Sequence, residues 1–411
     1  MRDTRKIVII ASAVGVALAG SFSGRASAAS QPATQEVSVS TTGIDANRPS
    51  RLDAVSPDGR YVLFDSTATN LVAHDTNAVR DVFLRDVVRG RTVRVSVGPH
   101  GRQGNAASWG GSMSSDGRYI TFQSAATNLS RHDTNGVADA FLRIRGGSDP
   151  RTVRVSIRPA GGQFEKAVNG LWATMGARPT QFVGASLPLS ADGRYVAFGV
   201  LGFPEVAREY AYLRDRKTHR TVRVFRAKDF PVPVAMSADG RFLVAQNSND
   251  NGNADSFFLR DRGLRRTTTV PYDIGWLPIG FIGGIVMSPD ARYFAFSGYN
   301  GQTVPGNLAY RWQRGATSFD PITPPGSNQS TDVYGISDDG RYVGANGYRF
   351  DMTTQASIPA SVSADGTFLG ARGLLSGDAA WYAFAASGGG VTSSDSDRSG
   401  DLFIRGPLAV P

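Results

Sequence analysis

Three segments of the chain place oxygen-bearing side chains at alternating positions, the spacing that suits a hard cation. They read Asp75-x-Asn77-x-x-x-Asp81, Asp133-x-Asn135-x-x-x-Asp139 and Asp395-x-Asp397-x-x-x-Asp401, with a weaker relative at Asn249, Asn251 and Asp255. Carboxylate and amide oxygens in this order can ligate calcium. The segments lack the central glycine and terminal bidentate glutamate of an EF-hand loop. Asp and Asn also close turns by bonding nearby backbone. Turn capping is the preferred reading, calcium is the alternative, and no other cofactor is expected.

Catalytic chemistry finds less support. The chain has four histidines, His74, His100, His132 and His219. His74 and His132 each precede the first Asp of an acidic segment, so repetition explains them better than catalysis does. The sequence holds no Gly-x-Ser-x-Gly elbow, no His-Glu-x-x-His pair and no phosphate-binding glycine loop. No catalytic residue is assigned.

These segments hang on a repeat. Ser56-Pro57-Asp58-Gly59-Arg60-Tyr61-Val62-Leu63-Phe64 recurs at Ser115-Asp116-Gly117-Arg118-Tyr119-Ile120-Thr121-Phe122, and further copies begin at Ser190, Ser237, Ser288 and Ser337. A degenerate copy, Ser376-Gly377-Asp378-Ala379-Ala380-Trp381-Tyr382-Ala383-Phe384, lies 320 residues after the first. At the same offset Asp395, Asp397, Asp401 and Phe403 fall on Asp75, Asn77, Asp81 and Phe83. The short copy at Ser363-Ala364-Asp365-Gly366 comes too soon before Asp378 to be its own unit and reads as a loop. Mean spacing of the repeat aspartates is about 53 residues, near the roughly 40–50 of a propeller blade.

Each copy predicts a strand, an Asp-Gly turn and three further strands. Gly tolerates the positive φ of a tight turn, and the residues after it are aromatic or β-branched, as strands prefer. Asp81-Val82-Phe83-Leu84-Arg85 and Arg91-Thr92-Val93-Arg94-Val95 supply the later strands of the first copy. The last copy stops after its third strand, while Glu36-Val37-Ser38-Val39-Ser40 precedes the first copy with no unit of its own. The N-terminal strand is therefore expected to complete the last blade, which leaves no open sheet edge.

The repeat resembles the PD40 (WD40-like) repeat of TolB-like propellers, over roughly residues 35–411. The resemblance implies an all-β fold, a β-propeller of seven four-stranded blades, or six if the degenerate copy is not one. It does not imply a function: such propellers include envelope binding proteins, domains attached to peptidases, and some lyases. The α/β domain that precedes the TolB propeller has no counterpart here.

In an up-and-down blade the acidic segments and the connections between blades lie on one face. The longest connection falls near residues 158–187 and contains Phe164, Trp172 and Arg178, which are candidate ligand-binding residues. Long loops on a compact scaffold are often functional.

Composition bounds the setting. The 411-residue chain has no cysteine, 44 basic and 35 acidic residues, and a net charge of +9. Disulfides and thiolate metal sites are excluded. Arg2, Arg5 and Lys6, an apolar run over residues 7–20, and Ala26-Ser27-Ala28 form a secretory signal pattern, so residues 1–28 are expected to be cleaved and 29–34 to be a linker. The run is shorter than the roughly 20 residues that span a bilayer. Without the leader's four basic and one acidic residue the charge is +6. The basic residues do not cluster, so no nucleic-acid partner is expected. The reading is a monomeric, exported, non-catalytic binding or scaffold propeller for a protein or a cell-wall or polysaccharide ligand. The alternative is a carbohydrate-active lyase or hydrolase with its site at the channel.

Overall fold

One turn recurs throughout the molecule. Ser56 Oγ donates to Asp58 Oδ1 at 2.6 Å and accepts the Tyr61 backbone N–H at 2.8 Å, while the Arg60 N–H donates to Asp58 Oδ1 at 3.1 Å. The same bonds close the turns that begin at Ser114, Ser190, Ser237, Ser288, Ser337 and Ser376. Gly59 holds φ +68° in this turn, and Ala291 and Ala379 adopt φ +56° and +58° at the equivalent place.

A computed structural model describes residues 32–411, apart from 169–186, 201–209, 226–229, 249–253, 271–280, 300–306, 324–330, 388, 393–394, 396–399 and 409–411. The turns organise seven antiparallel sheets in a ring. The first blade comprises Ser50–Val55, Tyr61–Ser66, Asp81–Asp86 and Arg91–Arg94, here called strands A to D from the centre outward. Blades two, four, five and six repeat this order. In blade three, Tyr195–Val200, Tyr210–Asp215 and Arg220–Arg223 form strands B to D, and Leu189 bridges Val196 in the A position. The architecture is the expected seven-bladed, all-β propeller.

The ring closes as expected. Ala33–Glu36 pairs antiparallel with Gly400–Gly406, from Ala33 opposite Gly406 to Glu36 opposite Phe403. Val37 N–H continues the ladder to Leu402 O at 2.7 Å. This strand stands in the D position of a blade whose other strands are Gly373–Leu375, Tyr382–Ser387 and Gly400–Gly406.

Both faces of each blade are buried, which explains the weak polar–apolar alternation of the strands. Val62 and Phe64 pack against Ala383, Leu402 and Ile404 of the last blade, while Leu63, Val82 and Leu84 pack against Ile120 and Phe122 of the second. The repeat motif also joins blades. In five of the seven joints the aromatic residue after one turn lies against the turn glycine of the next blade: a Cβ on Gly240 would come 2.5 Å from the Tyr195 ring. Arg262 lies over that ring at 3.9 Å from its centroid and donates to Gly240 O. Arg145 over Tyr61 and Arg216 over Tyr119 repeat the arrangement. The glycine therefore serves a turn and a joint at once.

Candidate functional site

In the acidic segments of blades one and two an arginine already stands among the carboxylates. Arg94, from strand D, lies 2.9 Å from Asp75 Oδ1 and 3.5 Å from Asp81 Oδ2. Asn77 donates to Asp81 Oδ2 and to Gly104 O, and Ser96 donates to Asp81 Oδ1. Blade two repeats the cluster: Arg154 lies 3.4 Å from Asp133 and 3.6 Å from Asp139, and Asn135 and Ser156 donate to Asp139. Two carboxylates thus share one guanidinium. Burial pushes the Asp75, Asp81 and Asp133 carboxyls up, Asp133 further so because Asp139 lies beside it.

Blade seven differs. Asp401 accepts from Ser38 Oγ at 3.0 Å, and Asp395 accepts the Val391 N–H at 3.1 Å. Asp397 lies outside the described residues. The strand position that holds arginine in blades one and two is Glu36 here. Among the described residues no three metal-ligating side chains converge. In blades one and two the segments cap their own turns and enclose an arginine.

The long connection is only partly described. Phe164 is buried in the core, its ring 5.9 Å from Phe198 and 5.0 Å from Tyr212. Its ring is taken up by the packing between blades two and three. Trp172 and Arg178 lie outside the described residues. The four histidines all take left-handed backbone conformations, φ +54° to +58°, in turns away from the innermost strands.

The innermost strands hold what the sequence reading missed. The position three residues before the turn serine is Asp53 in blade one, Gly111 in two, Leu187 in three, Val234 in four, Ile285 in five, Tyr334 in six and Gly373 in seven. Asp53, Val234 and Tyr334 are bulged out of the A–B ladder, a device that re-aims a side chain. Polar and charged groups therefore fall on one side of the centre, in neighbouring blades, and Leu187, Val234 and Ile285 on the other.

On the polar side Arg372 of blade seven lies 2.9 Å from Asp332 of blade six, and the Tyr334 hydroxyl donates to the same carboxylate at 3.0 Å. In blade one Arg80 donates to Asp65 at 2.8 Å. Asp53 stands beside that pair and Arg51. Its Oδ2 is shielded from solvent and has no hydrogen-bond partner among the described residues. Trp109, half-buried on the A strand of blade two, continues the arc.

The electrostatics separate the two carboxyls. Burial and then the charge of Asp65 push Asp53 well above the ordinary carboxylate value, against the pull of Arg51 and Arg80. Burial also raises Asp65, but Arg80, Arg51 and the Gly110 N–H oppose it. Burial thus favours the protonated form of Asp53, with less opposition from the guanidinia than at Asp65. Burial and the neighbouring Asp332 likewise keep the Tyr334 hydroxyl protonated. The arc offers guanidinium donors, carboxyl groups and two aromatic rings.

No family model matches the sequence, and no curated protein matches it. Solved structures do. An oligogalacturonate lyase in complex with manganese is 13% identical, with a TM-score of 0.55 over 92% of this chain and 96% of that one. An oligogalacturonate lyase from Vibrio parahaemolyticus is 10% identical, with a TM-score of 0.55 over 92% and 97%. TolB from Acinetobacter baumannii is 14% identical, with a TM-score of 0.42 over 85% and 81%. At such identities the likeness is one of fold, the propeller that the repeat announces.

Proposed function

We propose that this chain is a saccharide-binding propeller whose ligand sits at the ring centre, over the A strands of blades six, seven, one and two. The observation that carries this reading is the one-sided arc of Arg51, Asp53, Asp332, Tyr334, Arg372 and Trp109. Sugars are held by planar charged groups that match their hydroxyls and by aromatic rings that cover their apolar faces; a few placed polar groups in a concave site fix orientation. The two guanidinia favour a sugar that bears a carboxylate. The solved neighbours named as oligogalacturonate lyases share the fold over nearly the whole chain, which supports an acidic oligosaccharide as the first ligand to try. The leader pattern supports action outside the cytoplasmic membrane, on a wall or secreted polymer. The reading needs no cofactor and no nucleic acid.

Calorimetric titration of trigalacturonate and of cellotriose into the folded chain tests it. Binding of the acidic trimer, weakened about tenfold or more by Arg372→Ala and by Trp109→Ala, is the expected result. If neither saccharide binds and an envelope protein is retained instead, the ligand class is wrong.

Asp53 favours one second reading, a lyase at the same place. A buried carboxyl that favours its protonated form, beside guanidinia, is placed to give a proton to the leaving oxygen in β-elimination from a uronate. Release of an unsaturated sugar, followed by its ultraviolet absorbance and lost in Asp53→Asn, would replace the binding reading by this one.

A further inference from the structure

One copy of the repeat turn builds no blade. Ser363-Ala364-Asp365-Gly366-Thr367-Phe368 follows the pattern of Ser56-Pro57-Asp58-Gly59-Arg60-Tyr61. It closes a similar turn: the Thr367 N–H donates to Ser363 Oγ at 3.0 Å and to Asp365 Oδ1 at 3.1 Å, and Val362 bridges Phe368. Phe368 stands where the motif puts Tyr61. In the seven blades that aromatic residue is buried or half-buried. Phe368 belongs instead to the connection between blades six and seven, and it is 39% exposed. Its ring lies 4.5 Å from that of Tyr348, tilted by 39°.

The pair stands beside the arc. Tyr348 begins strand C of blade six, Tyr348–Asp351, and only Asn346 and Gly347 join it to strand B, Tyr342–Ala345. In blade one the same connection takes residues 67–80. The face that carries these connections is therefore low over blade six. The Phe368 connection is tied down to the short turn: the Ser361 N–H donates to Gly347 O at 2.9 Å, and the Ala371 N–H to Ser361 Oγ at 2.9 Å. Turn and connection both lead to the centre. The Asp332 N–H donates to Asn346 Oδ1 at 2.9 Å, and Arg372, which pairs with Asp332, follows Phe368 by four residues. Strand C lies two ladder spacings, about 10 Å, outside strand A. An oligosaccharide covers that distance and a single sugar does not.

We propose that Tyr348 and Phe368 form an outer subsite for the same oligosaccharide, so that its chain runs from the arc outward across the short turn of blade six and a later sugar unit lies on the Phe368 ring. The inference rests on the saccharide reading and adds that the ligand is an oligomer laid in a fixed direction. An exposed ring backed by a second ring buries the apolar face of a sugar as it buries other hydrocarbon. The turn that carries it brings Asp365 and no cation. The carboxylates are therefore read at the centre, and the ring face is read here.

Calorimetric titration of the folded chain with galacturonate and with trigalacturonate tests the proposal. The trimer should bind at least about tenfold more tightly than the monomer. Phe368→Leu, which keeps hydrocarbon and removes the ring, should weaken the trimer about five- to tenfold at unchanged melting temperature. Phe368→Trp should preserve its affinity. Trimer binding that falls in Arg372→Ala but not in Phe368→Leu overturns the outer subsite and leaves the central one standing. Equal losses in Phe368→Leu and Phe368→Trp, or equal affinity for monomer and trimer, do the same. If the trimer does not bind at all, the saccharide reading fails and the subsite with it.

Discussion

Glu36 and Arg94 occupy one place in the repeat. Glu36 lies opposite Phe403 in the last blade as Arg94 lies opposite Phe83 in the first. In blades one and two the position supplies a cation to two buried carboxylates, and in blade seven the same strand position carries a carboxylate instead.

That contrast gives a first prediction. Asp75 and Asp81 are 2% and 0% exposed, and Arg94 is their shared cation. Arg94→Leu should cost about 3–5 kcal/mol at neutral pH, because it leaves buried charge without a partner. Asp75→Asn should be neutral or stabilising, since it removes the surplus negative charge. Urea unfolding of both variants decides it; equal losses would mean that the cluster does not act as a unit.

Stability should depend on pH in two opposed ways. Forked hydrogen bonds from Arg241 and Arg341 hold Asp261 and Asp351 down to about 2. Their contribution is present above the ordinary carboxylate value near ~3.9 and is lost as pH falls toward 2. Asp53, Asp65, Asp75, Asp81 and Asp133 are raised. Theirs is full below ~3.9 and is lost as pH rises through the raised values. The melting temperature should therefore peak in mildly acidic solution, and Asp53→Asn should lift the neutral side of the curve. A profile that keeps rising to neutral pH, unaltered in Asp53→Asn, would contradict this.

The blade joint predicts unequal costs for one methyl group. Gly240→Ala must place a Cβ 2.5 Å from the Tyr195 ring at φ +69°. The strain and overpacking should cost about 2–4 kcal/mol. Ala291 already takes φ +56° at the equivalent place, so Ala291→Gly should change stability by less than about 1 kcal/mol. Thermal unfolding of the pair checks the contrast.

The closing strand should matter beyond its length. Val37 is 1% exposed against the first and last blades, and Val37→Ala should cost about 2 kcal/mol. Deleting residues 33–38 should bare the edge of Gly400–Gly406 and cause association, visible by light scattering.

The blades were legible in the sequence because each begins with the same turn, and the turn is local: Ser56, Asp58 and Tyr61 bond within six residues. Closure was legible because a strand was missing at one end and spare at the other. The polar arc was not legible, since the innermost strands share no motif and Asp53, Gly111 and Tyr334 look unrelated until the turn serines align them. The arginine among the acidic segments was not legible either: Arg94 follows Asp75 by 19 positions and reads locally as one more residue of a strand. Nor was the place of Phe164, a core side chain inside a connection expected to carry function.

The first strand of the ring is the last to find its place. Ala33–Glu36 has its ladder partner in Gly400–Gly406, so during synthesis it waits for nearly the whole chain to appear. Contacts of such sequence separation form slowly. Until they do, blade seven lacks its outer strand and the ring stays open. A chain stopped short of residue 400 would carry six finished blades and an unlatched seventh, and the arrival of Gly400–Gly406 would itself be the event that locks the ring.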